Sequence, residues 1–541
     1  MSHRPISISI LSPVHIGCDE VYEPSNFVIH DSLLHSLDPA DLAGALSDKE
    51  RKQLATRADG REPIGALQRF FRDNAERFAG LARHQVAVAG DIVREYEKSA
   101  GKPTQRGPAG EATYNVFPIA RTAYRPLDNT PYLPGSSLKG SIRTAWLNRL
   151  NHGAELPQAE EKSSKNKNAA LQQRLLGYTA GKFEDDPFRH IHLADAHPEE
   201  DATPPPTRVL YAISKKKSRP RDGERSPQEL KVFLETIPDA IPTAFFGELR
   251  FTGNIEWNAL CDACNGFYKP QLEAELDHAV LGGLLDAEWK RLITGSLCDE
   301  LSELISARQG FLLRVGRHSG AESVTLEGVR DIKILGPRVD GKQTFDFRPN
   351  TTEKRLASLT KAGADGLLPF GWIWVDASDD AHRYLSDTLR QKLAARSSAL
   401  REAHQDRLLR LEERQQQRAA EIAAAEKQKQ VAEATARAET EAQAARQGAL
   451  AAMTPNMRRI EEFKATFAAR AEQLRGHREK LNADYHGRAR KLAQDALDGT
   501  GWAAEEKRAA ADAIAEWLPK VVEKIDKDQI KKLKLSVLRG L

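Results

Sequence analysis

The chain has 541 residues, of which 40% are hydrophobic, 29% charged and only 6% aromatic, with 80 Lys and Arg against 77 Asp and Glu. At roughly 100 to 200 residues per domain one core is excluded and two or three are expected, and four cysteines in so long a chain exclude a disulfide framework. No run approaches the roughly 18 apolar residues of a membrane span, so no membrane partner is expected.

The start, MSHRPISISILSP, lacks the apolar core and cleavage site of a secretory signal, and a cytoplasmic location is the default expectation. A net charge of +3 carries no argument for nucleic acid, which must come from local clusters. Two are visible. ISKKKSRPRDGERSPQELK (213–231) and the ending WLPKVVEKIDKDQIKKLKLSVLRGL each hold seven basic against three acidic residues.

In chain order, ISISIL alternates with period two and reads as a strand, Gly17 punctuates, and NFVIH resumes. Residues 38 to 98 read as helical, from DPADLAGAL with its leading Asp to IGALQRFFRDNAERFAGL. GKPTQRGPAG breaks the pattern, and YNVFPIA begins a strand. EEKSSKNKN (160–168) reads as a surface insertion. HIHLADA, TRVLYAIS, LKVFLETI and AFFGELRFTGNIEW read as strands, 270–308 as helix, and GFLLRVGRH, DIKILG and LPFGWIWVDA as a last set of strands.

Strands in succession with helices between them favour α+β packing over a doubly wound parallel sheet. Past Gly371 no glycine recurs until Gly448. Residues 380–447, taken as one helix, would extend on the order of 100 Å, and the thin apolar stripe predicts a loose antiparallel hairpin with the helix after Pro455. The expected domains are therefore 1–200, 201–376 and a helical arm, 377–541.

The most informative segment is PYLPGSSLKGSIRTAWLNRL (131–150), a turn running into an amphipathic helix. Ser136 and Ser137 suit a helix cap. Gly135 and Gly140 permit close backbone approach, and free helix amides with Lys139 and Arg143 make an anion site. A phosphate loop of the nucleotide triphosphatase kind would need its lysine after the second glycine. Here Lys139 precedes Gly140, which disfavours that class.

A second glycine-rich loop repeats the theme. Gly316 and Gly320 flank Arg317, His318 and Ser319, with Arg314 expected on the same strand face, and guanidinium groups beside open backbone suit phosphate or 2′-hydroxyl contacts.

GSSLKGSIR (135–143) resembles the glycine-rich signature of the RAMP proteins of CRISPR-Cas systems. LSPVHIGCDEVYEPSNFVI (11–29) and LLRVGRHSGAESVTLEGVR (312–330) are similar to the opening and the late loop of the family of fifth subunits of type III-A (Csm) effector complexes, and DDPFRHIHLADA and KKLKLSVLRGL also fit. The likeness covers most of 5–376 and resumes at the C-terminus. It implies RRM-like (ferredoxin-like) domains and a non-catalytic subunit that caps the 3′ end of the CRISPR RNA (crRNA) and takes part in its maturation. The implied partners are crRNA, the backbone RAMP subunit, the small subunit, the large Cas subunit and a recruited host nuclease.

Backbone RAMP subunits that cut target RNA carry an Asp shortly before a strand like VIHD (28–31). Here that position falls at or near Ser25, with Asp19 and Glu20 close by, so the resemblance implies that the cutting carboxylate is missing.

Two other functions stay open at this point. His15, at the end of the first strand, could serve as acid or base in a RAMP endoribonuclease processing precursor crRNA. The helical arm could instead make the essential contacts of an assembly protein. No cofactor or metal is expected: His190, His192, Asp195 and His197 lack a ligand spacing, and Cys261 with Cys264 is a lone pair where structural zinc takes four ligands.

Overall fold

The computed structural model describes residues 2–59, 62–106, 112–157, 167–179, 182–219, 231–339, 341–377 and 385–540. Most of the basic loop at 213–231 and nearly all of the insertion at 160–168 lie outside them. The chain separates into two units, Met1–Gln417 and Arg418–Leu541.

The first unit holds two main sheets. One has five antiparallel strands in the order β13 (Gly310–Arg314), β18 (Trp372–Ala377), β1 (Ser2–Ile10), β12 (Ile241–Phe251) and β9 (Ile191–Leu193). The alternation of ISISIL has a two-sided cause. Ile6, Ile8 and Ile10 join the main apolar core, while Ser7 and Ser9, also buried, hydrogen-bond to the Asp376 carboxylate and the Thr243 amide. A central strand covered on both faces needs its polar side chains partnered.

The other sheet has nine strands. Its path runs β2 (Gly17–Tyr22), β8 (Ile119–Thr122), β11 (Lys231–Thr236), β10 (Arg208–Lys216), β5 (His84–Val88), β4 (Leu33–Ser36) and β3 (Phe27–His30). β16 (Glu353–Ser358) adds to β10 and carries β17 (Leu368–Pro369). Two lone hairpins remain, β6 (Pro103–Arg106) with β7 (Ala112–Tyr114), and β14 (Ile332–Val339) with β15 (Lys342–Arg348).

Both sheets interleave strands from either side of residue 200, so the halves expected at 1–200 and 201–376 share their sheets. The α+β class holds. The helical stretch at 38–98 is real for α1 (Pro39–Ala45), α2 (Asp48–Ala58), α3 (Pro63–Asp73), α4 (Ala75–Ala79) and α5 (Gly90–Ser99), but β5 interrupts it. Trp257, read as the end of a strand, instead opens α8 (Trp257–Leu276). Between these lie α6 (Gly135–Asn151) and α7 (Lys167–Leu176); α9 (Ala287–Leu292) and α10 (Cys298–Ser306) follow, flanking a wide helical turn.

α11 (Asp387–Ala452) is continuous. Its first part buries Leu389, Leu393, Ser397, His404 and Leu411, whereas 419–449 are exposed throughout, including Ile422 and Val431. The expected antiparallel hairpin does not form. α12 (Pro455–Leu474), started at Pro455 as expected with Thr454 as its cap, turns Ile460, Phe463 and Phe467 into a core of the second unit. That core is shared with α13 (Asp484–Asp498), α14 (Ala504–Val521) and the short α15 (Lys527–Lys532) and α16 (Leu535–Leu538). Large aromatic and aliphatic partners there bury more apolar area than the alanine face of α11 offers.

Candidate functional site

α6 forms because Leu138, Ile142 and Ala145 recur on one buried face, and it ends at His152 and Gly153, both left-handed. Its start differs from the expectation. The helix opens at Gly135 with Pro134 at the cap position and no side-chain cap, so Ser136 and Ser137 lie inside the first turn. Gly135 is obligatory for another reason: a Cβ there would stand 2.3 Å from the Leu193 carbonyl oxygen.

The chain's own carboxylates take up part of the expected anion site. The Gly135 amide donates to Asp195 Oδ1 at 2.7 Å. Arg143 pairs with Asp186 at 2.8 Å, donates to Gln172 and lies over Phe188. Ser136 and Gly140, one turn apart, remain exposed, with open space around Gly140. Lys139, half-buried, is paired with no carboxylate among the described residues; desolvation lowers its pKa, against the pull of Asp186.

The two glycine-rich loops are brought together. Ser141 Oγ donates to the Arg314 carbonyl at 3.0 Å, and Tyr268 Oη donates to the Ser141 carbonyl at 3.0 Å. The second loop is seated on the first strand's exit. The Arg317 amide donates to the His15 carbonyl at 2.8 Å, Val315 to Gly371, and Gly371 to Pro13.

Arg314, expected on the surface, is 2% exposed. Its guanidinium donates to the Phe370 carbonyl at 2.9 Å and to Glu275 at 2.7 Å, and stacks over Trp372. It supports the loop from beneath. Arg317 is exposed, Gly316 and Gly320 have positive φ, and His318 rests against Phe370.

Sequence reading missed Arg355, in the charged first half of β16. Desolvation and then the neighbouring Arg317 hold its pKa down. Burial, then Arg355 and Arg317, push His318 down to about 3. Arg317 and Arg355 thus place two positive charges beside the open loop, with His318 held neutral next to them. The end of β10 extends it, since Ser214 and Lys215 pair across from Arg355 and Lys354.

Nearby chemistry is less open. His15 is 0% exposed, its Nδ1 lies 2.7 Å from the Glu235 carbonyl, and burial lowers its pKa. Solvent and a substrate hydroxyl cannot reach it in this conformation. Ser25 sits exposed in the turn between β2 and β3, while Glu20 accepts from Tyr124 at 2.6 Å. His190 meets Thr252, and Asp195 is committed to Gly135. Cys261 and Cys264 are buried in α8, and among the described residues no group of three ligand side chains could hold a metal. No helix among those residues is long and apolar enough to cross a membrane.

The β14–β15 hairpin adds a further surface. Leu335 faces Phe345 and Lys333 faces Phe347 across the pair, Lys333 lies 4.1 Å from the Phe345 ring centre, and Leu335, Phe345 and Phe347 are 67%, 53% and 50% exposed.

Three histidines set an acid limit on the fold. Burial first, then nearby cations, holds His318 and His404 at about 3, and burial holds His35 at about 4. Below about 6.5 the unfolded chain protonates these groups and the fold does not, so the unfolded state binds more protons and stability drops as the pH is lowered. We expect a loss of roughly 5 kcal/mol between pH 7 and pH 5, nearly 2 from each histidine, measured by urea unfolding, and a shallower slope in His318→Asn. Glu322, held at about 2 by Lys217 and Thr351 against its burial, loses its contribution only below about 4.5, outside that window.

The RAMP superfamily model matches residues 7–269, which contain the first loop, α6 and the strands that carry them. Two curated proteins named Csm5 are similar. That of Streptococcus thermophilus is 27% identical over 205 residues, 36% of this chain and 51% of its own. That of Methanocaldococcus jannaschii is 26% identical over 145 residues, 26% of this chain and 30% of its own. The chain is thus similar to RAMP proteins over residues 7–269 and to proteins named Csm5.

The matches span about half and about a third of those relatives' lengths. Among solved structures, the chain is similar to T. onnurineus Csm5, at 15% identity and a TM-score of 0.38, covering 68% of this chain and 99% of that one. A chain of a type III-A Csm–crRNA–target RNA complex matches at the same identity and TM-score, covering 70% and 100%.

Proposed function

We propose that this protein is a non-catalytic, RNA-binding subunit of a type III-A Csm effector complex that holds the 3′ end of crRNA and takes part in its maturation. The carrying observation is the pair of cations Arg317 and Arg355, one on a loop anchored to α6 and to the first strand and the other on the neighbouring β16, with a neutral His318 beside them. Arg317, Lys139 and the exposed first turn of α6 supply phosphate contacts, which position a strand without reading its sequence. The aromatic hairpin face offers stacking surface for unpaired bases. The burial of His15 supports a binding role over RNA cleavage.

The test is the double variant Lys139→Gln with Arg317→Gln. It should bind single-stranded RNA about tenfold more weakly at physiological salt, alike for all sequences, and flatten the salt dependence by about 1.4, at roughly 0.7 per lost contact. Unchanged affinity and slope would remove the loops from RNA binding. Incubation with precursor RNA addresses the catalytic part: divalent-independent cutting that His15→Ala abolishes would replace binding by catalysis.

A further inference from the structure

A groove of about 370 Å³ separates the first part of α11 from the nine-stranded sheet, away from the glycine-rich loops. One wall carries Asp31 and Ser32, in the β3–β4 turn, and Arg208, at the start of β10; the other carries Ala403, Arg407 and Arg410, which share one face of α11.

The arginines are not balanced by the chain. Arg208 Nε and Arg407 Nε are buried without a hydrogen-bond partner, and among the described residues neither side chain forms an ion pair. Arg407 donates only to His404 Nδ1, at 3.4 Å, and His404 is 8% exposed with its Nε2 unpartnered. Desolvation depresses the pKa of both arginines, with Asp239 opposing it at Arg208. Arg396, three turns earlier on α11, makes the contrast: it meets Asp239 at 2.6 Å and Asp286 at 3.0 Å. Asp31 and Asp406 also line the groove, but neither pairs with its arginines among the described residues. Asp31 is 83% exposed beside His30, and Asp406 is exposed.

Half-buried guanidinium groups without counter-charge are costly, and a guanidinium fork is the side chain best suited to a phosphoryl group. We propose that this groove is a second anion site, in which Arg208 and Arg407 clamp a phosphate and Arg410 attracts it at the mouth. The phosphate belongs either to an RNA strand or to free inorganic phosphate. The proposal does not depend on the glycine-rich loops.

The experiment uses the full chain, Arg407→Gln, and Arg317→Gln as a control for the loop site. At constant ionic strength, inorganic phosphate replacing chloride should raise the thermal midpoint of the native protein and of Arg317→Gln by several degrees and leave Arg407→Gln unmoved. Short single-stranded RNA distinguishes the source. If Arg407→Gln weakens RNA binding about tenfold and phosphate competes with RNA, the occupant is a strand phosphate. If RNA affinity is unchanged while the phosphate shift is lost, it is the free ion. Equal responses of native protein and Arg407→Gln to both ligands overturn the site. Should Arg407→Gln melt several degrees low without phosphate, Arg410→Gln, whose side chain is exposed, carries the same comparison with the same overturning result.

Discussion

Glu275→Gln is expected to lower stability by about 3–5 kcal/mol, the loss measured when one partner of a buried ion pair is removed. Glu275, at the end of α8, is 9% exposed. One carboxylate oxygen takes Arg314 Nη1 at 2.7 Å and pairs with Lys354, and the other accepts the Trp372 indole N–H at 2.7 Å. Arg314 and Trp372 belong to the five-stranded sheet and Lys354 to the nine-stranded one. A single carboxylate therefore clamps two sheets and a helix beneath the second glycine-rich loop.

The amide keeps the shape and loses the charge, leaving two cations desolvated without a counter-charge. Over a unit of some 400 residues, at about 2.1 cal/mol/K of unfolding entropy each, the midpoint should fall by about 3–6 °C. Adding Lys354→Met should return part of the loss, since one uncompensated cation is then gone and coupled neighbours are not additive. A Glu275→Gln protein that melts with the native one would mean that the carboxylate contributes nothing to joining the sheets.

How far the sequence reveals this site depends on the distance over which each residue is determined. The turn into α6 and the second loop are legible because glycine and proline act locally, although the serine cap expected at that turn does not form: Gly135, Gly316 and Gly320 stand where the backbone turns or another chain segment approaches. The alternation of Ile6, Ser7, Ile8, Ser9 and Ile10 is equally local, although it comes from two buried faces rather than one wet one.

Arg314 was misplaced because an arginine after a run of Phe311, Leu312 and Leu313 reads as the strand's exit to solvent. Its partner Glu275 lies 39 residues earlier and nothing near Arg314 signals it. Asp195 on Gly135 and Asp186 on Arg143 are hidden in the same way, 60 and 43 residues from their partners. Arg355 is invisible because EKRLAS opens on charged residues, and its place is set by pairing with β10 and not by periodicity. The α11–α12 hairpin failed on energetics. Ile460, Phe463 and Phe467 match the helices that follow them better than an alanine-rich face, and a propensity reading does not compare partners.

The second large effect is expected from Gly316→Ala, which should cost about 2–4 kcal/mol and weaken RNA binding more than any single charge removal at the loop. Gly316 has φ near +77°, and a Cβ there would stand 2.3 Å from the His15 carbonyl oxygen. An L-residue in the left-handed region costs roughly 1–2 kcal/mol, and a clash with backbone cannot be relieved by turning a side chain. The loop must lift. Lifting it breaks the hydrogen bond from the Arg317 amide to the same carbonyl, so the strain falls on the residue argued to meet phosphate.

Gly320 is the control. It too has a positive φ, but the nearest atom to its Cβ is the flexible Glu322 carboxylate at 3.3 Å, so Gly320→Ala should cost only the conformational part, about 1–2 kcal/mol. Thermal midpoints and RNA anisotropy on both variants separate close approach from backbone conformation. Equal losses at the two positions would show that left-handed geometry alone explains the glycines and that the contact with His15 does not hold Arg317 in place.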